Sequence, residues 1–103
     1  MKIIKYLYEK IEEEINDAEN YIKHAMMYKD EYPELARTLA NLSTQELEHS
    51  MMLHTEAVNL IKKYRDEKGE PPAAMMAVYD YLHEREIKMY NGVKTLQDRY
   101  RNG

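Results

Sequence analysis

The sequence predicts an all-α fold: a long antiparallel helical hairpin plus a third long helix, in one domain spanning residues 1–103. Three observations predict it. Apolar residues recur three and four positions apart along almost the whole chain. No segment alternates apolar and polar residues with the period of a strand. Only two clusters of breaking residues interrupt the pattern, Asp30–Pro33 and Glu67–Pro72.

The first helix runs from about Lys2 to Lys29 on the face Ile4, Leu7, Ile11, Glu14, Ile15, Ala18, Tyr21, Ile22, Ala25. At Pro33 the preceding residue is pushed out of the helical region, and proline suits the first turn of a new helix. The second helix then extends to about Asp66 on the stripe Leu35, Leu39, Leu42, Glu46, His49, Leu53, Leu60, which is expected to face a core. Gly69 suits a C-terminal cap, and Pro71-Pro72 forbid continuation. A third helix from near Pro72 to about Tyr100 carries the seam Met75, Tyr79, Leu82, Glu86, Met89, Val93, Leu96, Tyr100, a 3.5-residue repeat. Gly92 weakens this helix by about 1 kcal/mol relative to Ala, but the seam passes through it unbroken. Helices of about 28, 34 and 29 residues are roughly 42, 51 and 43 Å long at ~1.5 Å per residue. Short connections make successive helices antiparallel. Three such rods leave a four-helix bundle one short, so a bundle completed by homodimerisation or higher assembly is expected.

Composition narrows the function classes. The chain has no cysteine, which excludes disulfides, thiolate zinc sites and cysteine-held iron, and fits a cytoplasmic setting. A net charge of -4 without blocks of like charge argues against a nucleic-acid partner. No apolar run approaches the roughly 20 residues that span a bilayer, and Met1–Tyr8 is too short and polar for a signal peptide. With Phe and Trp absent, ten Tyr and eight Met carry the bulky packing.

Each helix places one carboxylate on its apolar stripe: Glu14, Glu46 and Glu86. His49 follows Glu46 by three residues and His83 precedes Glu86 by three, so each His shares a face with its Glu. One such Glu usually extends its head to water, and one such His usually packs at a boundary. Three on three helices are harder to explain this way, because carboxylates meeting in a dry seam repel unless protons or cations join them. Oxygen and nitrogen donors without thiolate suit iron or manganese, and also zinc. A Glu plus Glu-x-x-His inside a bundle is the di-iron carboxylate arrangement, whose full set is four Glu and two His. Glu14, Glu46 and His49 make half of that set, and two copies of the chain complete it. Glu86 and His83 are then candidates for extra ligands or a second site. By the heptad count Glu12, Glu13 and Glu19 face solvent, while His54 and Glu56 sit at helix contacts.

Glu14 with Tyr21 seven residues on, then Lys29-Asp30, Glu34-Leu35-Ala36 and Glu46-Leu47-Glu48-His49, resembles the ferritin-like superfamily, most closely its rubrerythrin-type and encapsulated-ferritin-type members. The resemblance covers about residues 9 to 65. It implies a di-iron site with Glu14, Glu46 and His49 as ligands, Tyr21 beside them, and oxidation of ferrous iron by oxygen or peroxide. It also implies a short chain whose site forms between two subunits, and, for peroxide turnover, an external electron donor. The third helix leads directly into Arg99–Gly103, so no docking tail for encapsulation is expected. Two other readings of the same residues stay open: a metal-free helical assembly or adaptor module, and a zinc or manganese binder without redox chemistry. Elemental analysis of native protein separates them.

Overall fold

Apolar residues at helical spacing fold here into three helices and no strand, in a computed structural model that describes every residue, Met1–Gly103. Helix α1 spans Lys2–Tyr28, α2 spans Pro33–Lys68 and α3 spans Ala73–Asn102. The bundle is a rod of 56 × 19 × 17 Å, close to the length of α2 alone. None of the helices is long and apolar enough to cross a membrane.

The connections follow local chemistry. Pro33 opens α2, with Glu34 in a first turn whose free N–H groups favour negative charge. At the other end Gly69 takes φ +84°, where a side chain would be strained, and its N–H donates to Arg65 O over 3.0 Å. The single carbonyl of Pro72 then accepts from the N–H groups of Met75 and Met76 in the first turn of α3. Gly92 stays inside α3, whose hydrogen-bond ladder continues to Asn102.

Helix α1 supplies the spine. Ile4, Leu7, Tyr8, Ile11, Ile15, Ala18, Ile22 and Ala25 are all buried along it. Helix α2 runs back along α1: Ser43 donates to Ala18 O, and His49 faces Glu14. Helix α3 runs in the same direction as α1, with Tyr79 beside Met1 and Tyr8, Arg85 on Glu12, and Tyr100 near Lys29.

On α2 the buried face differs from the expected stripe. Ala36, Ser43, Leu47, Ser50, Ala57 and Ile61 are buried, whereas Leu35 is 47% exposed, His49 is exposed, and Leu39, Leu42, Glu46, Leu53 and Leu60 are half-buried. Small side chains explain the rotation. Alanine and serine let the α2 backbone approach α1 closely enough for Ser43 Oγ to reach Ala18 O at 2.7 Å, which a row of leucines would prevent. The leucines are left as a flank that no other helix of the chain fully covers. On α3 the seam behaves as expected at Tyr79, Glu86 and Val93, and buried Gln97 joins it.

Candidate metal centre

Glu14 projects from the edge of the α1 spine, one residue before buried Ile15. On α2, Glu46 and His49 sit three residues apart, a spacing that aligns them on one helix surface. The crossing of α1 and α2 brings the three together, with one donor atom from each lying within 4.8 Å of the others. His49 Nδ1 stands 3.8 Å from Glu14 Oε2 and 3.8 Å from Glu46 Oε1, in van der Waals range but beyond a hydrogen bond. The carboxylate side chains are 26% and 19% exposed, and the imidazole 53%. No lysine or arginine lies within ion-pair distance of either carboxylate.

This donor set fits a cation. Two ligands on one ion at bond lengths of about 2.0–2.2 Å stand up to roughly 4.4 Å apart, so small rotamer adjustments converge all three. Oxygen and imidazole donors suit iron, manganese or zinc. Tyr21, two turns after Glu14, is half-buried and makes no side-chain hydrogen bond to Glu14, Glu46 or His49.

Glu86 and His83 are not part of this cluster, contrary to the expectation that the three seam carboxylates meet. The height along the rod agrees, since Glu86 shares a cavity with Ile11, Ile15 and Ser50. Rotation around α1 separates them. Helix α3 reaches α1 through Arg85, whose guanidinium donates to Glu12 at 2.7 Å. Glu12 and Glu14 are two residues, or about 200°, apart on the helix. Helix α3 thus meets α1 away from Glu14, and Glu86 and His83 line a cavity that includes none of Glu14, Glu46 and His49. Glu12, expected to be solvated, is instead covered by α3 and is 29% exposed. Glu13 and Glu19 do face solvent, paired with Lys10 and Lys23.

Glu86 is 5% exposed, and neither of its oxygens has a hydrogen-bond partner. Burial, reinforced by the charge of Glu12 and only partly offset by Arg85, pushes its carboxyl up to about 8, so it holds a proton at neutral pH. The cavity it lines measures about 260 Å³ and is also bordered by His54, His83, Tyr90 and Asn91. His54 and His83 stack there with centroids 4.8 Å apart and planes 17° from parallel. Burial, and then the neighbouring His83, keep His54 below its ordinary value and so favour its neutral form. A helix-contact role for His54 was visible in the heptad pattern; its partner was not, because stacking depends on how α2 and α3 are rotated against each other.

Comparison with protein-family models finds no match, and comparisons with curated proteins and with solved structures find none either.

Proposed function

We propose that the chain is a ferritin-like di-iron carboxylate protein, a ferroxidase that oxidises ferrous iron with oxygen or peroxide and works as a homodimer or higher homo-oligomer. One observation carries the reading. The only three metal-donor side chains that converge in the molecule, Glu14, Glu46 and His49, lie beside the flank of leucines that the chain leaves half-covered. Two copies meeting along Leu39, Leu42, Leu53 and Leu60 would bury that flank and bring two half-sets together, giving four Glu and two His.

In this arrangement the carboxylates of Glu14 and Glu46 would hold two ferrous ions, and the charge that makes them poor neighbours without a cation would become the source of affinity. His49 adds a neutral nitrogen and, because it sits on the same helix face as Glu46, keeps the donor geometry when α2 moves as a unit. The leucines exclude water around the donors, which strengthens each charge interaction. When bound, the iron pair supplies the electrons that reduce the oxidant. For peroxide turnover the spent site needs an external electron donor. The ligand types also accept manganese or zinc.

Elemental analysis of protein purified without chelator, followed by anaerobic ferrous titration and an oxygen pulse, tests the reading. Stoichiometric iron and a ferric absorbance rise that is lost in Glu46→Ala are expected. Absence of bound metal together with a wild-type oxidation rate no faster than buffer rejects it.

A second reading has its own observation. His49 Nδ1 faces both carboxylates equally, and an imidazolium there would offset their charge without metal. The chain would then be a metal-free helical assembly or adaptor module, and iron would neither bind stoichiometrically nor raise its stability.

A further inference from the structure

We propose that the open cavity at Glu86, lined by α1, α2 and α3, binds a small organic cation: an alkylammonium group carried on a short apolar body. The site shares no residue with the Glu14–Glu46–His49 cluster and does not depend on it.

The argument begins with an unmet need. Glu86 is 5% exposed, and both its carboxyl oxygens are buried without a partner while lining the cavity. Buried polar groups in folded proteins are almost always satisfied, so a donor is missing. Nothing in the chain supplies it. Arg85, next in sequence, turns away to Glu12. Ser50 spends its hydroxyl proton on Leu47 O.

The surroundings define the missing donor. Glu86, once it gives up its proton, puts a negative charge in the cavity that favours a cation over an anion. A single metal ion is disfavoured, because Glu86, His54 and His83 do not converge as Glu14, Glu46 and His49 do. The walls are mostly apolar, with Ile11, Ile15, Met51 and Ile87 offering contact for a hydrocarbon body. Tyr90 borders the same space and adds an aromatic ring, a side chain that attracts cations, to the lining. A volume of about 260 Å³ is below the usual ~300–1,000 Å³ of sites for drug-sized ligands. A ligand of a few heavy atoms is implied.

Binding is coupled to a proton. The carboxyl of Glu86 is protonated at neutral pH, and an arriving ammonium replaces that proton, which leaves to solvent as the carboxylate–ammonium pair forms. The groups facing Glu86 are Tyr8 and Glu12 from α1, His54 from α2, and His83, Arg85 and Tyr90 on α3. Tyr8 holds its proton more tightly than usual, chiefly through burial and then through Glu86, and does not compete for the ligand as a charge.

The test is calorimetric titration of n-butylammonium chloride into the full chain with chelator present, in two buffers of different protonation enthalpy. One saturable site is expected, with uptake of the ligand releasing close to one proton near pH 6. Affinity should rise by up to about tenfold per pH unit toward pH 8. Glu86→Gln should weaken binding at least about tenfold, the scale of losing one charge-assisted bond. The neutral analogue 1-butanol should bind wild-type protein correspondingly less tightly, which decides the matter even if the variant does not fold. Absence of saturation, unchanged affinity in a folded Glu86→Gln, or equal binding of the alcohol would overturn the proposal.

Discussion

Gln97 Nε2 donates to Ser43 Oγ over 2.9 Å, and Ser43 Oγ in turn donates to Ala18 O over 2.7 Å, so one buried polar chain ties α3 to α2 and α2 to α1. Both side chains are at most 2% exposed. In a largely apolar interior this relay admits few alternatives, because shifting any helix by a residue would strand a donor. It sets the rotation of the three helices against one another.

Ser43→Ala removes the middle of the relay and strands the Gln97 amide. A loss of about 1–3 kcal/mol is expected from the abandoned donor. Gln97→Met removes the amide instead, including its already unpartnered Oε1, and should cost less. Urea denaturation of the two variants checks the order, and equal losses would contradict the relay.

Glu86 makes stability depend on pH in an unusual direction. Its folded value, about 8, lies above the ordinary 4.5, so the folded chain holds the proton more tightly than the unfolded chain. The stabilisation is complete below about pH 4.5 and is lost as pH rises through 8. Within that window this group withdraws up to about 1.4 kcal/mol per pH unit. Glu86→Gln should flatten the profile and be more stable than wild type above pH 8. Denaturant midpoints measured across this range would contradict the assignment if the variant retained the wild-type slope.

Gly92→Ala should stabilise the chain. Gly92 is interior to α3, and a methyl group added there meets nothing within 4 Å. The helix propensity difference is worth about 1 kcal/mol, or roughly 4–8 °C in melting temperature for a domain of this size. Thermal circular dichroism measures it.

Metal should stabilise through Glu14, Glu46 and His49. Ferrous or zinc ion at about 100 times its dissociation constant would add about 2.7 kcal/mol. Glu46→Ala should abolish the gain, while Glu86→Gln should keep it. Loss of the gain in both variants would mean that the two carboxylates share a site.

The leucine flank of α2 should govern assembly. Leu53→Lys places a charge on a half-buried position beside His49 and should yield monomers by sedimentation velocity, with metal binding weakened because each chain holds half a donor set. Unchanged association would locate any interface elsewhere.

Helical spacing and the breaks at Pro33 and Gly69-Pro71-Pro72 were enough to read the three helices, because both are properties of neighbours along the chain. The burial of Ile4, Ile11, Ile15, Ala18 and Ile22 on α1 follows for the same reason. The sharing of one face by Glu46 and His49 is equally local. Which side of each helix meets which neighbour is not local. The stripe from Leu35 to Leu60 on α2 reads as its core, yet Ala36, Ser43, Ser50 and Ala57, with Leu47 and Ile61, take that place, since close approach of two backbones favours small groups at the contact. Glu86 shares a seam pattern with Glu14 but lines a separate cavity, because a heptad specifies position along a rod and leaves its rotation against other rods to packing and to the Ser43–Gln97 relay.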